Sequence, residues 1–132
     1  MRNSFITVAG ISGALAVTLG AMGAHALKDH ITPELLQTYE TGVRYQFYHT
    51  LGLLLTALLM QNNSSGLLRL SGNLFITGIF LFSGSLYFLS TRSLFGIEGM
   101  RWIGAVTPLG GLSFIAGWVL LSYSFYKKTY EH

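Results

Sequence analysis

The chain has 132 residues, a formal charge of +3 and no cysteine; 51% of its residues are hydrophobic, 10% are charged, and mean hydropathy is +0.50. A soluble domain carries about 25% charged residues, so the composition points to a bilayer, and the length to one domain. Few Lys and Arg argue against a nucleic-acid face, and the lack of Cys excludes disulfides, thiolate metal sites and Cys nucleophiles.

From Asn3 to Ala24 there is no charge. Crossing a hydrocarbon core takes roughly 20 helical residues, so a first span is predicted at about 4–24. Small residues recur four apart in the pairs Ala9/Gly13, Gly10/Ala14, Ala16/Gly20 and Gly20/Ala24. That spacing lets helices approach closely in lipid. A cleaved signal peptide is the rival reading, with Arg2 as n-region and Ala24-His25-Ala26 as cleavage site. The apolar run is long for an h-region, and further spans come after it.

Thr32-Pro33-Glu34 reads as N-cap, first-turn proline and early acid. Leu35, Leu36 and Tyr39 then repeat at helical spacing. This predicts an amphipathic helix at the interface, about 33–41. It leads into a second span at 42–60, either continuously or with a bend near Gly42. The crossover holds Arg44, Tyr45, Gln46, Tyr48 and His49. Helical spacing puts Tyr45 and His49 on one face, with Arg44 on a neighbouring face one turn after Glu40.

Gln61 to Gly66 reads as a turn. A third span is predicted at 70–91, with Asn73, Thr77 and Gly84 on one stripe and Ser71, Gly78 and Ser85 on the next. Both stripes suit interhelical packing. After a loop with Arg92, Glu98 and Arg101, a fourth span is predicted at 102–124. Pro108 should bend it, since proline cannot bond the carbonyl of Gly104; Thr107 is the nearest group to repair the break. Gly13, Gly20, Gly84, Gly111 and Gly117 are the expected packing glycines. Aromatic residues gather near the span ends, at Tyr45 and Tyr48, Tyr87 and Phe88, Trp102, Tyr123 and Tyr126.

Four spans put both termini on one side, with Arg2, Arg69, Lys127 and Lys128. Lys28, Arg44, Arg92 and Arg101 fall opposite, and the tally is even. Placing Arg44 inside the membrane tips it toward cytoplasmic termini.

Several motifs occur in order: Gly20-Ala21-Met22-Gly23-Ala24-His25-Ala26-Leu27, Val43-Arg44-Tyr45-Gln46-Phe47-Tyr48-His49, Phe82-Ser83-Gly84-Ser85-Leu86-Tyr87, and Thr107-Pro108-Leu109-Gly110-Gly111-Leu112 with Ala116-Gly117-Trp118 after it. Together they make the chain resemble the small four-helix membrane family of YwdK- and YgdD-like bacterial proteins. This is the domain of unknown function 423, to which animal transmembrane protein 256 also belongs. Relatives are expected to carry a tryptophan shortly before the Arg-Tyr-Gln motif, where this chain has Tyr39. The resemblance implies an integral membrane protein with four spans and no established activity.

His25, Arg44, Tyr45, Gln46 and His49 form the candidate polar or lipid-binding pocket. Ionisable groups in a membrane usually face protein or water. One reading is a pocket near one surface that binds an anionic headgroup through Arg44 or relays protons through His49. The other has Arg44 snorkelling or pairing with Glu40 while the histidines bond helix carbonyls. Paired histidines on facing helices could ligate haem, but no haem motif is present and no cofactor or metal is expected. His30 and His132 read as loop and terminal residues. Ser83 and Ser85 have no evident base, and Gly110-Gly111 lacks the context of a phosphate loop, so enzymatic chemistry is not expected.

The fold class is therefore all-α, an integral membrane bundle of four transmembrane helices with a short interfacial helix. The expected role is structural or regulatory, through membrane lipid, a homo-oligomer or another membrane protein, in the cell membrane. The alternative is a small transporter or channel for a proton, ion or lipid. A pore would need polar groups along its whole depth, and the middle of these spans is mostly apolar.

Overall fold

The computed structural model describes residues 1–62 and 65–130, with 127–130 described by backbone alone. The helices are α1 (Arg2–Met22), α2 (Pro33–Leu59), α3 (Gly66–Gly78), α4 (Gly84–Thr91) and α5 (Val106–Tyr130). A five-residue π-helical turn, Ile79–Ser83, joins α3 to α4 in one rod, and another, Gly23–Leu27, extends α1. Among the described residues three stretches are long and apolar enough to cross a membrane: Arg2–Leu27, Gly66–Phe95 and Arg101–Tyr126. The fourth rod, α2, has the same reach: 27 residues at about 1.5 Å each give about 40 Å.

The predicted interfacial helix and second span are one continuous helix. Thr32 caps it: its hydroxyl accepts a hydrogen bond from the Leu35 N–H, and Pro33 occupies the first turn, where no donor is needed. The Glu34 carboxyl is held below its usual range by its own backbone amide and by the Thr32 hydroxyl. Nothing between Glu40 and His49 breaks the helix, because Gly42 keeps helical geometry. The turn expected at Gln61–Gly66 lies partly outside the described residues; on its far side Ser65 caps α3 by accepting from the Leu67 N–H.

Neighbouring rods are antiparallel. Tyr39 meets Leu19 while Thr50 meets Ser12, so α1 and α2 run in opposite directions. Ser71 meets Gly117 while Ser85 meets Thr107, which sets the same sense for the α3–α4 rod and α5. The start of α1 and the end of α5 thus lie at one end of the bundle. The core is Phe5 and Ala9 from α1, Leu53 and Ala57 from α2, Phe75 from α3 and Phe114 from α5.

Aromatic rings seat in glycine notches. A Cβ on Gly117 would meet Phe75 at 2.8 Å, and one on Gly52 would meet both Trp118 and Phe75 at 3.1–3.2 Å. Gly72 is covered by Phe5, Gly78 by Phe114, and Gly110 by the backbone of Phe82. Of the glycines expected to pack, Gly117 does so tightly and Gly20 lies under Val43 at 3.3 Å. Gly13 and Gly111 have ordinary contacts, with Thr50 at 3.6 Å and Phe82 at 3.9 Å.

Gly84 differs from expectation: nothing lies within 4 Å of its Cβ direction. The Asn73–Thr77–Gly84 stripe is the outer face of the rod, and the Ser71–Gly78–Ser85 stripe is the buried one. A single stripe is enough because α2 and α5 both approach the rod from the Ser71 side. The π turn, in which the Gly84 N–H reaches back to the Ile79 carbonyl, also inserts an extra residue and rotates α4 relative to α3.

Pro108 also departs from expectation, since it does not bend a span. A short 3₁₀ turn, Arg101–Ala105, precedes α5, and Pro108 sits in the first helical turn, where its missing N–H costs nothing. Thr107 repairs no break; its hydroxyl lies 2.6 Å from that of Ser85.

Gly110→Ala should lower stability by about 1–3 kcal/mol, because the new methyl meets backbone that cannot rotate aside. Gly84→Ala should be neutral. Thermal unfolding of both variants in detergent checks the contrast.

Candidate functional site

Four polar residues in the second half of α2 face inward. Gln46, His49, Thr50 and Thr56 are buried, while Phe47, Leu51, Leu55 and Leu58 are exposed. This is the inverse of an amphipathic helix in water. It is the arrangement a bilayer favours, because a polar group facing lipid finds no partner there.

Gln46 is the centre of the network. Its amide nitrogen donates to the Ser12 carbonyl of α1 at 2.9 Å, and its amide oxygen accepts from the Tyr87 hydroxyl of α4 at 2.7 Å. One side chain therefore ties three rods together. Around it, the Ser12 and Thr50 hydroxyls pair at 2.7 Å, Ser83 donates to the Gly42 carbonyl at 2.7 Å, and Tyr39 donates to the Leu19 carbonyl at 2.9 Å. The Tyr39 and Tyr87 rings meet at 5.1 Å.

His49 lies on the next face, in an aromatic box. Its ring stacks on Phe114, with centroids 3.4 Å apart and planes at 8°; Phe75, Tyr45 and Trp118 stand at 5.8, 5.9 and 6.1 Å. Nδ1 lies 2.7 Å from the Tyr45 carbonyl. A carbonyl only accepts, so Nδ1 carries the proton. Among the described residues no second histidine stands opposite His49; His25 is exposed in the turn beyond α1. Among the described residues no group of three or more His, Asp and Glu side chains could hold a metal ion.

The five candidate residues do not converge. Gln46 and His49 are interior, and Tyr45 packs against Phe82 at 4.7 Å and His49 on one edge of α2. Arg44 is exposed on the outside of the α1–α2 pair, where its Nη2 donates to the Thr41 hydroxyl at 3.1 Å. It makes no ion pair with Glu40. His25 is exposed in the π-helical turn beyond α1. The antiparallel register explains the separation. Tyr39 is already level with Leu19, and about 15 Å of helix lies between Tyr39 and His49. His25 is further out still.

Sequence reasoning does not single out Ser12, Tyr87 or Phe114 as site residues. The available signal is their isolation: Ser12 is a lone hydroxyl among small apolar residues, and Tyr87 closes the Phe82–Tyr87 motif.

Beside this network, a groove of about 350 Å³ opens between α1 and the α3–α4 rod. Ile11, Leu15, Ile76, Phe80 and Gly84 line it, with Gln46 and Tyr87. Elsewhere, Arg92 keeps one guanidinium nitrogen, Nη1, buried without a hydrogen-bond partner.

Long apolar rods that bury a polar network between them define a helical membrane protein. A family model described as "Protein of unknown function (DUF423)" matches residues 19–111, and the chain belongs to that family. It is 44% identical to the UPF0382 membrane protein YwdK of Bacillus subtilis (strain 168), over 89% of this chain and 91% of that protein. It is 39% identical to the UPF0382 inner membrane protein YgdD of Escherichia coli (strain K12), over 92% and 88%. A UPF0382 membrane protein of Haemophilus influenzae is 37% identical over 97% and 98%. No solved structure matches the chain.

Replacing Gln46 by Leu should cost about 1–2 kcal/mol, because it removes two interhelical hydrogen bonds worth on average about 0.6 kcal/mol each in a membrane. Adding Tyr87→Phe should recover part of that loss, because the orphaned hydroxyl is then gone. A double-mutant cycle on thermal stability checks the coupling.

Proposed function

We propose that the chain is a four-span, non-enzymatic protein of the cell membrane that acts as a homo-oligomer, through contacts made by its outer faces. The observation that carries this reading is the Asn73–Thr77 pair. These residues stand one turn apart on the exposed face of α3, and neither side chain has a hydrogen-bond partner among the described residues. Other exposed helical hydroxyls, such as Thr7, Thr18 and Ser113, fold back onto carbonyls four residues earlier. An unpaired amide facing lipid favours a second helix that can bond to it. Phe80 stands 75% exposed on the same side, at the rim of the groove that Gly84 leaves open. A projecting ring beside an apolar groove suits a two-fold interface, in which each copy offers both.

Support for α2 as the fourth span comes from its inward polar face and its leucine-rich outer face. The printed name of the Escherichia coli relative, an inner membrane protein, supports the cell membrane. The closed hydrogen bonding around Gln46, and the apolar boxing of His49, favour a structural role over a conducting path.

Three outcomes are expected. The absence of native cysteines allows clean labelling. Asp29→Cys should react with an impermeant thiol reagent added outside cells, and Gln61→Cys only after permeabilisation. Labelling of both from one side would remove α2 as a span. Native mass spectrometry in mild detergent should show a dimer, and Asn73→Leu/Thr77→Val should shift it at least tenfold toward monomer; a wild-type monomer would sink the oligomer. Reconstituted vesicles should leak protons no faster than empty ones; a flux abolished by changing His49 would favour the transporter instead.

A further inference from the structure

A second outer face carries a different chemistry. On the far side of the α1–α2 pair runs a trough of about 320 Å³, lined by Ala16, Val17, Gly20 and Ala21 from α1 and by Arg44, Phe47 and Tyr48 from α2. Its α1 wall is low because those side chains are small. Val43 rests over Gly20, which sets Arg44 level with the last part of α1. That level is inside the uncharged stretch ending at Ala24, below the end of the bundle that holds His25, Lys28 and Asp29.

The Arg44 guanidinium is turned toward the N-terminal end of α2, where Nη2 donates to the Thr41 hydroxyl. This is the direction of the near membrane surface. A guanidinium has five N–H donors in a planar fork, and the one bond to Thr41 is the only side-chain hydrogen bond of Arg44 among the described residues. No described carboxylate pairs with it. Arg44 therefore carries unused donors at one end of the trough, and an apolar furrow leads from it past Phe47 and Tyr48, which are 41% and 54% exposed.

We infer that this trough is a binding site for an anionic phospholipid, with the lipid phosphate on Arg44 and one acyl chain along the furrow. The charge is what selects the ligand. Arg recognises phosphate oxygens through paired N–H bonds, and a zwitterionic lipid brings its own ammonium to compete for the phosphate. An anionic headgroup supplies the carboxylate-free site with its missing counter-charge. The inference rests on α2 being a span, and the labelling of Asp29→Cys and Gln61→Cys tests that separately.

The test uses full-length protein in nanodiscs holding equal amounts of phosphatidylglycerol and phosphatidylcholine. Lipids that stay bound on release are counted by native mass spectrometry. The wild type should retain phosphatidylglycerol preferentially. Arg44→Gln should lower that preference about fivefold, the effect of one basic residue near an anionic surface, while Arg44→Lys should keep most of it. Arg101→Gln, which removes a cation from the same end of the bundle, should leave it unchanged. Val17→Trp fills the trough without touching the charge and should reduce retained lipid of both kinds; it serves if Arg44→Gln fails to fold. Equal preference in wild type and Arg44→Gln would overturn the site, as would an equal drop in Arg101→Gln. Loss of oligomer in Arg44→Gln with an unchanged lipid ratio would assign the trough to a second copy and overturn it too.

Discussion

A hydrogen-bonding group in hydrocarbon has only protein to turn to, and Gln46 shows how much of this fold depends on that. Its amide needs both a donor and an acceptor. Ser12 on α1 and Tyr87 on α4 supply them from opposite sides, so the rotation and depth of three rods are set together. The surrounding bonds, Ser12 to Thr50, Ser83 to Gly42 and Tyr39 to Leu19, repeat the register without adding a new one. Each is individually modest in a membrane, well under 2 kcal/mol. Their agreement is what makes the arrangement specific.

The other half of the bundle is held by shape. Between the α3–α4 rod and α5 there is no amide clamp. Rings fill glycine notches instead, Phe114 at Gly78 and Phe75 at Gly117, while the backbone of Phe82 lies against Gly110 and the hydroxyl bonds of Ser71 and Ser85 stand at either end. Dispersion between closely fitted surfaces is the main attraction available to helices in lipid. The π turn at Ile79–Ser83 joins the two halves. It lets the same rod present Ser83 and Tyr87 to α2 while Phe82 covers α5.

The helical class and the three apolar spans are legible in the sequence, because long uncharged runs have few other uses. The start of α2 is legible too, through Thr32 and Pro33. What stays hidden is rotation. Spacing places Tyr45 beside His49, and the structure agrees. Spacing says nothing of which face meets a neighbour, so the Asn73–Gly84 stripe reads as a packing face when it faces out. The candidate site residues are spread apart for a related reason. His25, Arg44 and His49 are close in one-dimensional reading, but the register of two antiparallel helices spreads them over different depths and faces. Pro108 reads as a mid-span kink because a 3₁₀ turn, invisible in composition, moves the start of α5.

The inward polar face of α2 bears on how the protein is made. Taken alone, this segment would leave Gln46 and His49 without the groups that cover them, and polar side chains near the middle of a helix oppose its insertion into lipid. α1 is synthesised first and holds the Ser12 carbonyl that satisfies half of Gln46. The two form an antiparallel hairpin in which α1 meets the inward face of α2. Tyr87 completes the amide only when the third rod emerges. The Gln46 amide is thus half satisfied within the α1–α2 hairpin and completed only by α4, with α5 still to follow in the chain.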